Sequence, residues 1–339
     1  MTLALSLGTI IIGTVLVALY GIIAGLLIMG VDRKLAARMQ ARIGPPLTQP
    51  FTDLRKLLVK QSIVPENAIP WLFNAAPLLA LASSLVILLY LPIGPLAPVL
   101  GQYGDLVLVM YLLTIPALAM VAGGFSSGSP YATVGAQREM VTMISYEFPF
   151  AVAIIGVAWR LAAAGAGLPF SLLTLTAIPI WSVVGPFGFL GALCLLVLVM
   201  LVIPGEVSRI PFDTPEAETE LAGGLLLEYS GRNLAMFTLS LGVKTIVMGS
   251  LAVAMFLPWN LSPYLGLTGV AALVVDLAFF ALKVFAVLFL AVILLRIGVA
   301  RFRINQVVSG YWVYLGALGI FGLIMLIADV GIAAVSGVA

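Results

Sequence analysis

Histidine is absent from this chain of 339 residues, and cysteine occurs once, at Cys194 inside an apolar run. Haem, zinc and iron–sulfur sites draw their ligands mainly from those two residue types. The chain is therefore expected to bind no metal or redox centre of its own. The single cysteine excludes an internal disulfide, and Cys194 reads as a small core hydrophobe. Without imidazole, any proton relay must run on carboxylates, Lys, Tyr and water. Charge is scarce as well. Only 9% of residues are charged and 63% are hydrophobic, where soluble domains carry about 25% charge. With a mean hydropathy of +1.21 this excludes a soluble globular protein, and a net charge of +2 gives no sign of nucleic-acid binding.

What the chain does have is long apolar runs. Stretches able to cross about 30 Å of hydrocarbon occur near 3–29, 72–92, 104–124, 139–163, 181–203, 234–257, 268–295 and 311–336. The fold class that follows is an all-α integral membrane protein of about eight transmembrane helices, with amphipathic helices in its cytoplasmic loops. Residues 1–339 form a single polytopic domain. The first run lacks a basic leader and a small-residue cleavage site, so it reads as a retained span, not a removed signal peptide. No internal repeat supports an inverted-repeat transporter.

Thirteen basic residues lie in alternate loops: Arg33, Lys34, Arg38, Arg42, Arg55, Lys56, Lys60, Arg138, Arg209, Arg232, Arg296, Arg301 and Arg303. The other loops carry only Arg160. The positive-inside rule places the basic loops in the cytoplasm and both termini outside. The first of these loops, 30–70, has Phe51, Leu54, Leu57 and Leu58 at spacings of three and four within 49–61. That pattern is an amphipathic helix lying in the interface, serving as a lipid anchor, as a platform for a cytoplasmic partner, or as both.

The acidic loop 204–233 stands out against this background. The 27 residues from Glu206 to Arg232 hold six of the fourteen acidic groups: Glu206, Asp213, Glu216, Glu218, Glu220 and Glu228. If Pro215 opens a helix, Glu216, Glu218 and Glu220 crowd its first turn, where the dipole favours them. Glu216 and Glu220 would then share a face, and Glu228 would stand at i, i+4 to Arg232. Spacing alone leaves a hydrated loop and a channel mouth equally open.

Ionisable groups inside spans cost roughly 2.5–3.5 kcal/mol each on insertion scales and mark pathways by default. Glu139 opens the fourth predicted span, and Glu147 lies eight residues on, about 12 Å along a helix. Lys244 lies near the middle of the sixth. Asp276 and Lys283 share a face of the seventh, too far apart to touch. The plainer reading of each is a structural ion pair or a polar contact between helices. Arg160, Asp105 and Asp329 lie near span ends, where snorkelling explains them.

Pro211-Phe-Asp-Thr-Pro-Glu-Ala-Glu-Thr-Glu-Leu221, followed by Leu227-Glu-Tyr-Ser-Gly231, closely resembles the signature of the H subunit of respiratory complex I. The homologous membrane subunits of energy-converting NiFe hydrogenases share it. Ala41-Arg-Ile-Gly-Pro-Pro46 with Gln49-Pro50, and Ser129 to Glu139 running into Ser145-Tyr-Glu-Phe-Pro149, agree with it, so the resemblance covers essentially the whole chain. Complex I members usually read Gly-Pro-Asn-Arg in the first loop, where this chain has Gly44-Pro45-Pro46-Leu47. Ala37 to Pro46 and Gly128-Ser-Pro-Tyr131 look more like the Ech-type hydrogenase branch.

The resemblance implies a non-catalytic subunit of an oxidoreductase complex in the cell inner membrane. It would dock a peripheral arm whose large, small and iron–sulfur subunits carry the NiFe centre and the iron–sulfur clusters, and adjoin antiporter-like membrane subunits. Ferredoxin-linked hydrogen chemistry in the arm would be coupled to H+ or Na+ translocation. By motif, the resemblance assigns a proton channel to Glu139, Glu147, Asp213, Glu216, Glu218, Glu220 and Glu228. Lys244, Asp276 and Lys283 join that set only as charges within spans. Arg33, Arg38, Arg42 and Asp53 are the residues expected to dock the arm. The alternatives are the complex I H subunit itself, contributing to a quinone site, and a stand-alone secondary transporter.

Overall fold

A computed structural model describes residues 7–336, with the side chains of Glu218 and Thr219 among the few left outside the description. The chain is 76% helix, with no strand among the described residues. Eight helices are long and apolar enough to cross a bilayer, as the hydropathy predicts. We label them with the interfacial helix in chain order: α1 Leu7–Met39, α2 Gln49–Val59, α3 Pro70–Leu88, α4 Leu106–Ser126, α5 Pro130–Ala163, α6 Pro186–Glu206, α7 Gly231–Phe256, α8 Gly269–Gly298 and α9 Ile304–Ile332.

Local chemistry accounts for several helix starts. Pro70, Pro130 and Pro186 each occupy a first-turn position, where the missing N–H costs nothing. Asp105 accepts from the Leu108 N–H at 2.8 Å and caps α4. It is therefore a helix cap and not a snorkelling charge. Arg160 and Asp329 depart from the snorkelling expectation too. Both are buried and paired at 3.3 Å, joining α5 to α9, and Asp329 also accepts from the Gly185 N–H.

Two helices run beyond their apolar stretches. α1 continues past Met29 to Met39, so Asp32, Arg33 and Lys34 sit on its last turns. α5 begins at Pro130, nine residues before Glu139, which is therefore well inside the helix and only 2% exposed. Hydropathy underestimates both helices because paired charges can extend a helix without adding to its apolar sum. α8 and α9 each contain one π turn, at Phe289–Leu294 and Gly310–Leu315, a local widening common at functional positions.

α7 is the axle of the bundle. In its most apolar stretch 89% of residues are buried, and α1, α2, α3, α6 and α8 all pack on it. α1 approaches most closely through glycines. A Cβ on Gly25 would lie 2.7 Å from the Gly242 carbonyl carbon, the small-residue contact that membrane helices use in place of a hydrophobic drive. α5, α6 and α9 close the other side.

Candidate functional site

α6 ends at Glu206, two residues after the helix-interior Pro204. Its carboxylate meets Lys244 in the middle of α7. Nζ and Oε1 are 2.9 Å apart, and the two side chains are 1% and 3% exposed. The contact is an ion pair without hydrogen-bond alignment, since Lys244 Nζ makes no hydrogen bond. Desolvating two charges costs several kcal/mol per ion, which their attraction and added hydrogen bonds must offset.

α5 lines one side of this pair. Glu139, buried, and Glu147, half-buried, both lie within electrostatic reach of Glu206 and Lys244. Ser208 lies beside Glu139 without reaching hydrogen-bond geometry. Tyr146, two turns from Glu139 on the same face, stands edge-on to Tyr311 from the π turn of α9 at 6.2 Å. The Tyr311 hydroxyl donates to the Leu201 carbonyl. Glu139 Oε1, the Tyr146 hydroxyl, Glu147 Oε1, Ser208 Oγ and Thr214 Oγ1 are buried with no protein partner. Buried polar atoms are nearly always satisfied by protein or by ordered water, so this cluster has the chemistry of a hydrated path.

The acidic loop packs against α5 beside this cluster. The helix expected at Pro215 does not form. Thr214–Glu216 is a 3-10 turn, and Glu218–Leu221 is a separate short helix. Glu216 and Glu220 accordingly part company. Glu216 is half-buried and acts electrostatically on Glu139, while Glu220 is exposed and pairs with Arg138 at 2.6 Å. Asp213 is gripped by Arg301, whose Nε lies 3.0 and 2.9 Å from its two oxygens. The Glu218 side chain lies outside the described residues.

Glu228 is half-buried. α7 starts only at Gly231, which adopts a left-handed φ of 58°, so Glu228 lies outside the helix and the i, i+4 register with Arg232 is broken. No Glu228–Arg232 ion pair forms among the described residues. The neighbouring Tyr229 stacks on Phe73 at 4.1 Å and donates to the Phe73 carbonyl at 3.2 Å. Burial pushes its phenol up to about 12. Arg209 is half-buried, within electrostatic reach of Asp32 and Glu216. Burial holds its guanidinium below the usual range, with those two acids acting the other way.

Asp276 and Lys283 stand apart from this cluster. Asp276 accepts from the Leu261 and Ser262 N–H groups at 3.0 and 2.8 Å and from the Ser262 hydroxyl at 2.6 Å. Lys283 donates to the Leu257 and Trp259 carbonyls at 2.8 and 2.5 Å. Together they staple the turn after α7. Of the residues expected to dock an arm, Arg33 and Asp53 bind each other at 2.9 Å, while Arg38 and Arg42 are exposed.

Sequence reasoning missed Glu206 as a site residue, because it ends an apolar run and its partner lies 38 positions away. It also missed Tyr146, Tyr311, Asp32 and Arg209. The lack of histidine, which puts Tyr among the available proton carriers, was the one signal toward the tyrosines.

Fold and site together define a multi-pass helical membrane protein with a cluster of ionisable side chains in its interior. The chain belongs to the NADH dehydrogenase family of membrane subunits, those like the H subunit of complex I, matching it over residues 11–327. It is 32% identical to the second NADH-quinone oxidoreductase H subunit of Rhizobium meliloti (strain 1021), over 96% of this chain and 98% of that one. It is 34% identical to hydrogenase-4 component C of Escherichia coli (strain K12), over 78% and 80%. Its fold matches a chain in the structure of the membrane-bound sulfane sulfur reductase, an archaeal respiratory membrane complex. There the TM-score is 0.80 at 29% identity, over 94% of this chain and 99% of that one.

Proposed function

We propose that this chain is the membrane anchor and ion-translocating subunit of an energy-converting NiFe hydrogenase complex. It holds no catalytic centre itself. The observation that carries the reading is the buried Lys244–Glu206 pair flanked by Glu139 and Glu147. A proton arriving at Glu216 would pass to Glu139, then through bridging water past the central pair to Glu147. At an effective dielectric near 20, unit charges 6–8 Å apart interact by about 2–3 kcal/mol, so charging one site biases the next.

The end carrying the basic loops would face the cytoplasm and dock a peripheral arm through Arg33, Arg38, Arg42 and Asp53. NiFe and iron–sulfur centres would belong to that arm. The reading Gly44-Pro45-Pro46-Leu47 and the likeness to a hydrogenase component favour this branch. The near full-length likeness to an NADH-quinone oxidoreductase H subunit favours a second reading, in which the first loop contributes to a quinone site. Hydrogen evolution by the purified assembly supports the first branch and quinone-dependent turnover the second.

Glu139→Gln and Glu147→Gln test the path itself. Redox turnover of the detergent-solubilised assembly should persist, while ion uptake by vesicles carrying it should be lost. Wild-type uptake in both variants would remove the channel assignment in either branch.

A further inference from the structure

The interfacial helix α2 presents two different faces. Pro50, Leu54 and Leu57 turn toward the bundle, where α2 packs on α1 and α7. Thr52, Arg55, Lys56 and Val59, at i, i+3, i+4 and i+7, turn away from it and, with Lys60, form one open outer face. Arg55, Lys56 and Lys60 are exposed, and none of them enters an ion pair among the described residues. Asp53, on the same helix, is already held by Arg33 and Gln49. Glu66 is the one acidic residue between Leu54 and Trp71, so the segment keeps an excess of positive charge.

On this face Val59 is 83% exposed, and further along the chain Ile63, three residues past Lys60, and Trp71 are 65% and 72% exposed. Trp71 lies in the first turn of α3, where the span begins, the depth at which interfacial tryptophans sit. Basic side chains at headgroup depth, bordered by apolar groups pointing outward, match a molecule with an anionic head and acyl chains.

The geometry points to a binding site for the headgroup of an anionic phospholipid on the outer face of α2. Arg55, Lys56 and Lys60 hold the phosphate, and Val59, Ile63 and Trp71 lie against the acyl chains. A guanidinium presents a fork that fits two phosphate oxygens, and the two ammonium groups add point charges.

The test uses the intact assembly in nanodiscs of phosphatidylcholine doped with phosphatidylglycerol, with native mass spectrometry to count retained lipid. Each basic residue near a membrane surface strengthens anionic-lipid attraction by about fivefold. The R55Q/K56Q/K60Q variant should therefore retain phosphatidylglycerol roughly a hundredfold more weakly. Phosphatidylcholine retention should not change, and added inorganic phosphate should not displace the bound lipid. Should the variant fail to assemble, a photoreactive phosphatidylglycerol added to the wild-type assembly must label residues 52–60. Equal retention by both proteins, displacement by inorganic phosphate, labelling elsewhere, or cross-links from Lys56 and Lys60 to another subunit in place of lipid would each overturn the site.

Discussion

Lys244 Nζ and Glu206 Oε1 lie 2.9 Å apart at the junction of α6 and α7, two opposite charges sealed almost wholly from solvent. Each is the other's main compensation. Glu206→Gln or Lys244→Met alone should strand a buried charge and destabilise the protein by about 3–5 kcal/mol. The double variant should recover most of that loss while remaining unable to translocate ions. Thermal unfolding of all three in one detergent checks it; a double variant as unstable as the singles would mean that the pair is not mutually compensating.

Asp276 and Lys283 should behave differently. Asp276→Ala removes three hydrogen bonds to its carboxylate that hold Leu261 and Ser262. Its expected effect is lower stability and faster hydrogen exchange in residues 257–262. Ion uptake by vesicles should stay at the wild-type level below the melting range. Loss of uptake in a stably folded variant would return Asp276 to the pathway.

The Asp213–Arg301 contact ties the acidic loop to the segment ahead of α9. Asp213→Asn should loosen that tie by about 1–3 kcal/mol. Limited proteolysis should then cut within 207–217 markedly faster than in wild type. Unchanged cutting would assign the loop's order to its other contacts.

Acid should release α2 before it unfolds the bundle. Burial pushes the Asp53 carboxyl up, but hydrogen bonds from Gln49 and Arg33 and the positive charge of Arg33 outweigh it and hold the group below its usual range. A depressed folded value means that the contribution is present above the unfolded value near 4 and is lost as pH falls through the folded one. A nitroxide label on Leu58→Cys should therefore gain mobility below about pH 4 and show none of that change between pH 5 and 8. Arg33→Gln should move the onset of mobility to higher pH.

Tyr229 anchors the start of α7 by its ring and its hydroxyl at once. Tyr229→Phe should cost about 1 kcal/mol through the lost hydrogen bond, and Tyr229→Ala about 3–5 kcal/mol through the cavity beside Phe73. Equal losses in the two variants by denaturant titration would show that the stack contributes nothing.

Eight spans and the amphipathic α2 were legible in the sequence because both rest on hydrophobic pattern, which a membrane enforces strongly. The last turns of α1 and the first turns of α5 were not. Asp32, Arg33, Arg138 and Glu139 interrupt the pattern, and for the first three only their partners, Arg296, Asp53 and Glu220, show why a helix tolerates them. The same limit applies to the site. Lys244 was visible as a charge in the wrong place, but its partnership with Glu206 is set by how α6 meets α7. The acidic loop misled in the opposite sense, since Pro215 supports a helix locally while Arg138 and Arg301 draw neighbouring acids in different directions.

The central position of α7 joins chemistry to mechanics. A side chain whose charge changes on this axle cannot relax into lipid or solvent, and α1, already touching it glycine to glycine, has no slack to absorb the strain. Any change in ionisation at Lys244 would therefore be carried to the five helices packed on α7 as a change of fit.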